Sequence, residues 1–377
     1  MIIYFLIGYS LVVVLLSLVC GFIMLWNIPF ISSSADITIF EEPRQVSLII
    51  PAYNEAKRLP VLLESLARQD YQPHQILVVD DHSDDETAQV AKAYGADVIS
   101  SLQLYKGWIG KSRACWSGAL RATGQWLLFL DADVFFERTD SLRTLLIQFQ
   151  SNGAEGILSV QPYHEVKKPY ESLSAIFNII LLAGMSVFTP WGNKLRGTGA
   201  FGPCILCDKK QYFQSGGHQT IRSAVMDDLE LGRAFEKKGW HVHCYGGKGL
   251  LRFRMYPDGF CALVEGWTKN FATASRSTHS AVMVMIIIWV TGGLSAVILL
   301  AAVLASGDLY GLTTACALYF AFCLQMIWHA RRAGNFCLAV LILYPVSLVF
   351  FTILFLWSLI KTNIFHSVSW RGRKIDV

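Results

Sequence analysis

At 377 residues the chain is 53% hydrophobic and only 16% charged, with a mean hydropathy of +0.41, which excludes an ordinary soluble domain. Its formal net charge of +4 is spread out, with no basic stripe interleaved with aromatics, and this argues against a nucleic-acid partner. The nine cysteines are scattered without a disulfide framework, as in a reduced compartment.

Residues Ile2–Ile31 carry no charge, a longer stretch than the ~20 residues a membrane span needs. The stretch lacks the basic start and small-residue cleavage site of a signal peptide, so residues 1–31 are expected to be a retained transmembrane anchor. Residues 42–280 are polar and long enough for one domain with its own core. Within it, Val46–Ile50 is a β-branched run ended by Pro51, which predicts a buried strand and then a loop. Val61, Leu62, Leu66 and Ala67 follow at helical spacing. Ile76–Val79 predicts a second strand ending in Asp80 and Asp81, and Glu86–Tyr94 a helix that Asp84 or Asp85 would cap, before the short apolar "DVIS". Alternating strands and helices predict an α/β domain with a parallel sheet, whose ligands bind outside the carboxyl ends of the strands.

Polar clusters fall at those ends: Asn54/Glu55, Asp80/Asp81 and Asp131/Asp133. One aspartate there is ordinarily a cap or turn residue, but three clusters on successive strand ends point to a site. In "LLFLDADVFF", Leu127–Phe136, a strand running through both aspartates would aim Asp131 and Asp133 at one point, where a cation is the simplest partner. In "KGWIGKSRACWSGAL", Gly110-Lys111-Ser112 invites a phosphate-loop reading, which fails because Tyr105 occupies the position of the required first glycine. Lys111, near the start of a helix rich in small residues, is still placed to meet a diphosphate.

The run 172–189 is apolar enough to cross a membrane, but a crossing there would separate the acidic motifs, so a core or interfacial helix is expected. Cys204 and Cys207 form a CxxC, with His241, His243 and Cys244 further on. On a strand, residues i and i+3 face opposite ways, so core cysteines are expected rather than a zinc site. Leu229–Lys238 predicts a helix stopped by Gly239, with Asp227 and Asp228 at its start as caps or as a base.

Three more apolar runs, 281–304, 309–328 and 336–360, predict C-terminal spans, followed by a basic tail, 361–377. They hold essentially no ionisable residue apart from His329 at one edge, which argues against a transporter. The positive-inside rule places Arg331, Arg332 and the tail residues Lys361, Arg371, Arg373 and Lys374 on the cytoplasmic side. Three spans after a cytosolic domain put the tail outside instead. One run would have to be re-entrant to reconcile the two, and the sequence does not single one out.

Taken in order, "VSLIIPAYNE", "ILVVDDHSDDET", "LLFLDADVFF" and "MDDLELGRAFEKKGW" resemble the motif set of inverting family-2 glycosyltransferases over most of residues 46–240. "GWIGKSRACWSGA", "GAFGPCILC", "YGGKGLLRFRMYP" and "EGWTKNFATAS" resemble a membrane-anchored bacterial subgroup that includes an enzyme acting on a carotenoid acid. The resemblance implies the GT-A nucleotide-diphospho-sugar transferase fold, a Rossmann-like, mostly parallel sheet flanked by helices. It implies that Pro51, Ala52, Tyr53 and Glu55 frame the uridine and ribose, that Asp81 bonds the base, and that Lys111 lies near the nucleotide. Asp131 and Asp133 match the DxD motif for Mg2+ or Mn2+, with Asp133 the direct ligand and Asp131 shared between metal and ribose. Asp228 matches the catalytic base, although the family often has Glu-Asp where this chain has Asp227-Asp228. Asp227 and Trp267 are assigned to the acceptor or membrane side.

The implied reaction moves a hexose, glucose by expectation, from a UDP-sugar to a lipid-phase acceptor such as an apocarotenoid carboxylate. The implied place is the cytoplasmic (inner) membrane, multi-pass, with the catalytic domain cytosolic. Polyprenyl phosphate and diacylglycerol are alternative acceptors. A non-catalytic scaffold is the alternative of another class, and it predicts decay of Asp81, Asp131, Asp133 or Asp228, none of which has decayed. "CALVEGWTKNF" keeps Trp267 but lacks the Gln and Arg of the QxxRW motif, against processive polymer synthesis.

Overall fold

A computed structural model describes residues 2–32, 45–102, 107–108, 110–195, 199–224, 226–363, 367–370 and 373–376. In chain order α1 (Ile2–Met24) precedes β1 (Val46–Ala52), α2 (Leu59–Ala67), β2 (Gln75–Asp80), α3 (Thr87–Ala93) and β3 (Asp97–Ser100). Next come α4 (Gly110–Arg121), β4 (Trp126–Leu130), β5 (Val134–Phe136), α5 (Ser141–Ser151), β6 (Ile157–Gln161) and β7 (Tyr163–His164). Then follow α6 (Ala175–Gly184), β8 (Cys204–Asp208), α7 (Lys209–Gln214), α8 (Gly217–Thr220), α9 (Asp227–Glu236), β9 (Val242–Gly246) and β10 (Leu251–Phe253). The chain continues through α10 (Phe260–Ser277), α11 (Ser280–Ser306), α12 (Leu309–Ala333), α13 (Leu338–Ile342), α14 (Tyr344–Asn363), β11 (Ser367–Trp370) and β12 (Arg373–Asp376).

Contacts divide these elements into two units: Pro29–Tyr163 with Thr198–Met255, and Met1–Ile28 with His164–Gly197 and Tyr256–Val377. The first is built on a seven-stranded sheet in the order β3-β2-β1-β4-β8-β6-β9, in which only β8 runs against its neighbours. Every residue of β4 and β6 is buried, which explains why "WLLFL" is apolar throughout rather than alternating. The core gathers Leu48, Ile50, Leu128, Leu158 and Leu206 with Trp126 and Phe149, whose rings meet edge to face at 5.1 Å. Gly118 lets α4 lie directly on the sheet, because a β-carbon there would stand 2.4 Å from Ile49 Cγ2.

The second unit holds four helices long and apolar enough to cross a membrane: Ile7–Met24, Ser280–Ser306, Leu309–Ala333 and Tyr344–Thr362. α1 packs mainly on α11, where Gly292 accommodates Ser17. The expected C-terminal boundaries shift. α12 runs past residue 328 to Ala333, taking in Arg331 and Arg332, and the run 336–360 is broken into α13 and α14. The run 172–189 yields the 3-10 turn Pro169–Ser174 and the ten-residue α6, about 15 Å long and too short to cross. α6 is mostly buried and its contacts group it with the apolar helices, not with the sheet. The start of the expected 42–280 domain lies outside the described residues.

Candidate active site

The loops after β1, β2 and β4 carry the polar clusters, and the first two are tied to each other. Asn54 adopts a left-handed backbone (φ 54°); its N–H donates to Ser83 Oγ at 3.0 Å and its Oδ1 accepts from Asp84 N at 2.8 Å. Glu55 N–H donates to Thr87 Oγ1 at 2.8 Å. Asp85 accepts from Ala56 N at 3.2 Å and from Thr87 N, the first residue of α3, at 3.0 Å, so it clips the two loops together, while the N-cap position itself is Glu86. Asp81 N–H donates to Ala52 O at 2.8 Å. Its buried carboxylate accepts from Ser101 Oγ at 2.6 Å and from Arg113 Nε and Nη2 at 3.0 and 2.6 Å. Neither Arg113 nor Ser101 was singled out by sequence; the one signal was a second cation two residues after Lys111.

β4 stops at Leu130, so strand alternation does not aim Asp131 and Asp133. They lie in a turn instead, closed by Val134 N–H on Asp131 O at 3.3 Å, because the chain must bend there to enter β5. Asp131 is anchored by its N–H on Pro203 O at 3.0 Å, and Asp133 O accepts from Arg254 N at 3.4 Å. Lys111, in the first turn of α4, meets Asp131 Oδ1 at 2.7 Å. Burial opposes the charge on Lys111, but Asp131, then Asp227 and Asp228, outweigh it and hold its ammonium well above the usual lysine range.

α9 begins at Asp227, two residues earlier than expected, so both acids lie in its first turn; Gly239 (φ 86°) follows its end. The helix approaches the backbone of residues 199–202 through glycines. A β-carbon on Gly232 would stand 2.7 Å from Gly199 Cα, and one on Gly202 would stand 2.8 Å from Asp228 Oδ2. That proximity lets Gly202 N–H donate to Asp228 Oδ2 at 2.9 Å, while Leu229 N–H donates to Oδ1 at 3.0 Å. Burial, reinforced by Asp227, nevertheless pushes Asp228 up to about 6, against the pull of Lys111.

His218, also missed by sequence, is buried with Nε2 3.9 Å from Asp227 Oδ2. The Tyr212 oxygen accepts His218 N–H at 3.2 Å and lies 2.9 Å from Nδ1. With Tyr212 donating its proton to Nδ1, the ring proton sits on Nε2, facing Asp227. Burial lowers His218 to about 4, so it is neutral at physiological pH.

Lys111, Asp131, Gly202, His218, Asp227 and Asp228 line one cleft, with Pro51 at its wall. Asp133 is two residues on, in the turn, outside the set that lines this cleft. Cys204 and Cys207 are fully buried on β8, Cys204 in the core. Trp267 belongs to the other unit and is 1% exposed: it stacks on Phe177 at 4.8 Å and donates to Ser174 Oγ at 3.0 Å, so it is a core residue there rather than an exposed anchor.

A mostly parallel sheet with a lysine, an Asp-Ala-Asp turn and a helix-borne carboxylate beside its strand ends fits a glycosyltransferase of the GT-A class. The chain belongs to glycosyl transferase family 2, whose sequence profile matches residues 47–201. It is 37% identical over 335 residues to the 4,4'-diaponeurosporenoate glycosyltransferase of Staphylococcus aureus (strain USA300), covering 89% of each chain. The fold is similar to that of a mannosyltransferase from Pyrobaculum calidifontis solved with GDP-Man and Mn2+, at a TM-score of 0.53 and 17% identity over 96% of this chain and 98% of that one.

Proposed function

We propose that this glycosyltransferase moves a hexose, with inversion, from a UDP-sugar to a lipid-phase acceptor, an apocarotenoid carboxylate. The observation that carries this reading is the one cleft in which the Lys111 ammonium, the Asp131 carboxylate and the Asp228 carboxyl, held by two backbone N–H groups, converge. In the reaction the acceptor oxygen bonds to the anomeric carbon as the bond from that carbon to the diphosphate breaks, and UDP leaves. Lys111 balances the charge growing on the leaving group. The backbone N–H groups of Gly202 and Leu229 hold Asp228 still against the acceptor. A hydroxyl acceptor passes its proton to Asp228; a carboxylate acceptor, already ionised, passes none and is oriented by it.

Asp131 and Asp133 suit a hard divalent cation. Both are oxygen donors, and no group of three or more ligating side chains is found among the described residues, so the diphosphate and water would complete the shell. Bound there, Mg2+ or Mn2+ would supply further charge stabilisation to the diphosphate. The Pyrobaculum structure supports a nucleotide sugar with a divalent metal, and the name of the Staphylococcus relative supports the acceptor. We place the enzyme in the cytoplasmic membrane, with Asp81, Pro51, Ala52, Tyr53 and Glu55 on the nucleoside.

The test is purified full-length protein in detergent with UDP-glucose and Mn2+, offered an apocarotenoid acid, a polyprenyl phosphate or diacylglycerol in turn. One hexose gained by the acid as an alkali-labile ester, read by mass spectrometry, is the expected product. Hexose on either other lipid and none on the acid overturns the acceptor.

A further inference from the structure

The paired helices of the apolar unit provide a depth scale. α1 and α12 run parallel: Gly311 lies against Ile7, Leu18 O accepts from Gln325 Nε2 at 2.7 Å, and Leu25 O accepts from Arg332 Nη1 at 2.9 Å. α11 runs opposite to both, with Trp289 Nε1 donating to Gln325 Oε1 at 3.0 Å and Leu299 and Val303 clustered with Ala315 and Leu318. One end of the set is therefore marked by Met24, Ser280 and Arg332, the other by the turn at Gly307 and Asp308.

After α12 the chain starts at the Arg332 end. Asn335 N–H bonds His164 O at 3.1 Å and Cys337 N–H bonds Ser172 Oγ at 3.0 Å. It then turns inward: Tyr319 OH donates to Ile342 O at 2.8 Å, and the Tyr344 ring lies 4.9 Å from Phe322. Tyr344 OH donates to Gly293 O at 3.3 Å. Gly293 is the middle residue of α11, and Tyr319 and Phe322 flank the middle of α12, so α14 begins at half-depth.

A crossing helix would go on to the Gly307 end. α14 instead meets elements tied to the Arg332 end. Phe350 lies 5.9 Å from Phe177 and 5.7 Å from Phe260, and Ser358 Oγ donates to Thr268 O at 2.6 Å. α10, which carries Phe260 and Thr268, is two residues from the start of α11, and Gly184 of α6 packs on Thr278 between them. Strand β11 packs on α10 as well. A 20-residue helix of about 30 Å thus spans a depth of about 15 Å, half a bilayer core, and must tilt steeply.

We infer that α13 and α14 form a re-entrant element seated in a single leaflet. The chain then crosses the membrane three times, through α1, α11 and α12, and the residues after α14 return to the Arg332 side. The exposed stripe Val346, Val349, Ile353, Leu356, Trp357 and Ile360 meets the acyl chains of that leaflet. Lys361 Nζ sits 5.6 Å from the Trp357 ring at the stripe's end, as an interfacial anchor does. The arrangement removes the charge conflict: Arg331, Arg332, Lys361, Arg373 and Lys374 share one side, and residues 281–330 carry no lysine or arginine.

The test uses the full chain bearing Ser306→Cys or Val377→Cys. Each is exposed to a membrane-impermeant maleimide in sealed vesicles of one orientation, and the labelled position is read by peptide mass. Both sites should label in detergent; in vesicles one should label and the other lose its label, with the pattern reversed in vesicles of opposite orientation. Both sites labelling in the same vesicles would mean four crossings and overturns the proposal. Epitope tags inserted at Gly307 and appended after Val377, probed by protease from each face, decide the matter independently should either cysteine variant fail to accumulate.

Discussion

Asp228 and His218 are both displaced by burial, in opposite senses, and their effects on stability oppose each other across one pH window. Asp228 titrates at about 6 in the folded chain and about 3.8 unfolded, so acidification through that range protonates the native state first and adds stability. His218 titrates at about 4 folded and about 6.5 unfolded, so acidification protonates the unfolded chain first and removes stability. Each amounts to about 3 kcal/mol, and they largely cancel. In Asp228→Asn the His218 slope stands alone, and the melting temperature should fall as pH drops from about 6.5 to 4 while that of the parent stays nearly flat; parallel curves for the two proteins refute the pairing. With a hydroxyl acceptor the same variant should lose about 100–10,000-fold in kcat, and the parent's rate should rise through pH about 6. With a carboxylate acceptor the loss should be smaller, because no proton is taken.

At the scale of elements, the acidic motifs were legible because short apolar strands ending in polar residues are a local pattern. β1, β2 and the Gly239 stop follow from runs of a few residues, whereas β4 ends before the two aspartates and α9 starts two residues early. What pairs with what was not legible. Arg113 reaches Asp81 across 32 positions and Gly202 reaches Asp228 across 26, distances over which periodicity carries no information. By sequence Trp267 is assigned to the acceptor or membrane side because its burial against Phe177 depends on an element 90 positions away. Two expectations follow from α4 and the 199–202 segment. Arg113→Ala leaves the buried Asp81 carboxylate with one fewer partner and should cost about 3–5 kcal/mol, measured by denaturation of the detergent-solubilised chain. Gly202→Ala drives a β-carbon against Asp228 and should cut kcat with little change in KM for the nucleotide sugar; a pure KM effect would show that this glycine serves donor binding instead.

For the whole molecule, activity should fall about 100–1000-fold in excess chelator and return with Mn2+ or Mg2+; undiminished turnover would remove the metal from the reaction. The helical unit rests on a polar seam, Gln325 bridging Trp289 and Leu18, with Gly21 leaving room for it. Gln325→Leu should lower the thermal midpoint in detergent by an amount equivalent to about 1 kcal/mol. That seam also dictates a timetable. α1 emerges from the ribosome about 250 residues before α11, a wait of roughly 10–50 s at ~5–20 residues per second. Throughout it α1 has neither of the later helices it rests on, while all of the sheet is synthesised. Gln325 and Arg332 are made about 300 residues after α1, and their bonds to Leu18 O and Leu25 O join the two helices across 307 positions. Biogenesis therefore works as a buckle fastens: the first helix waits in the lipid until α11 and α12 arrive to lock it in place.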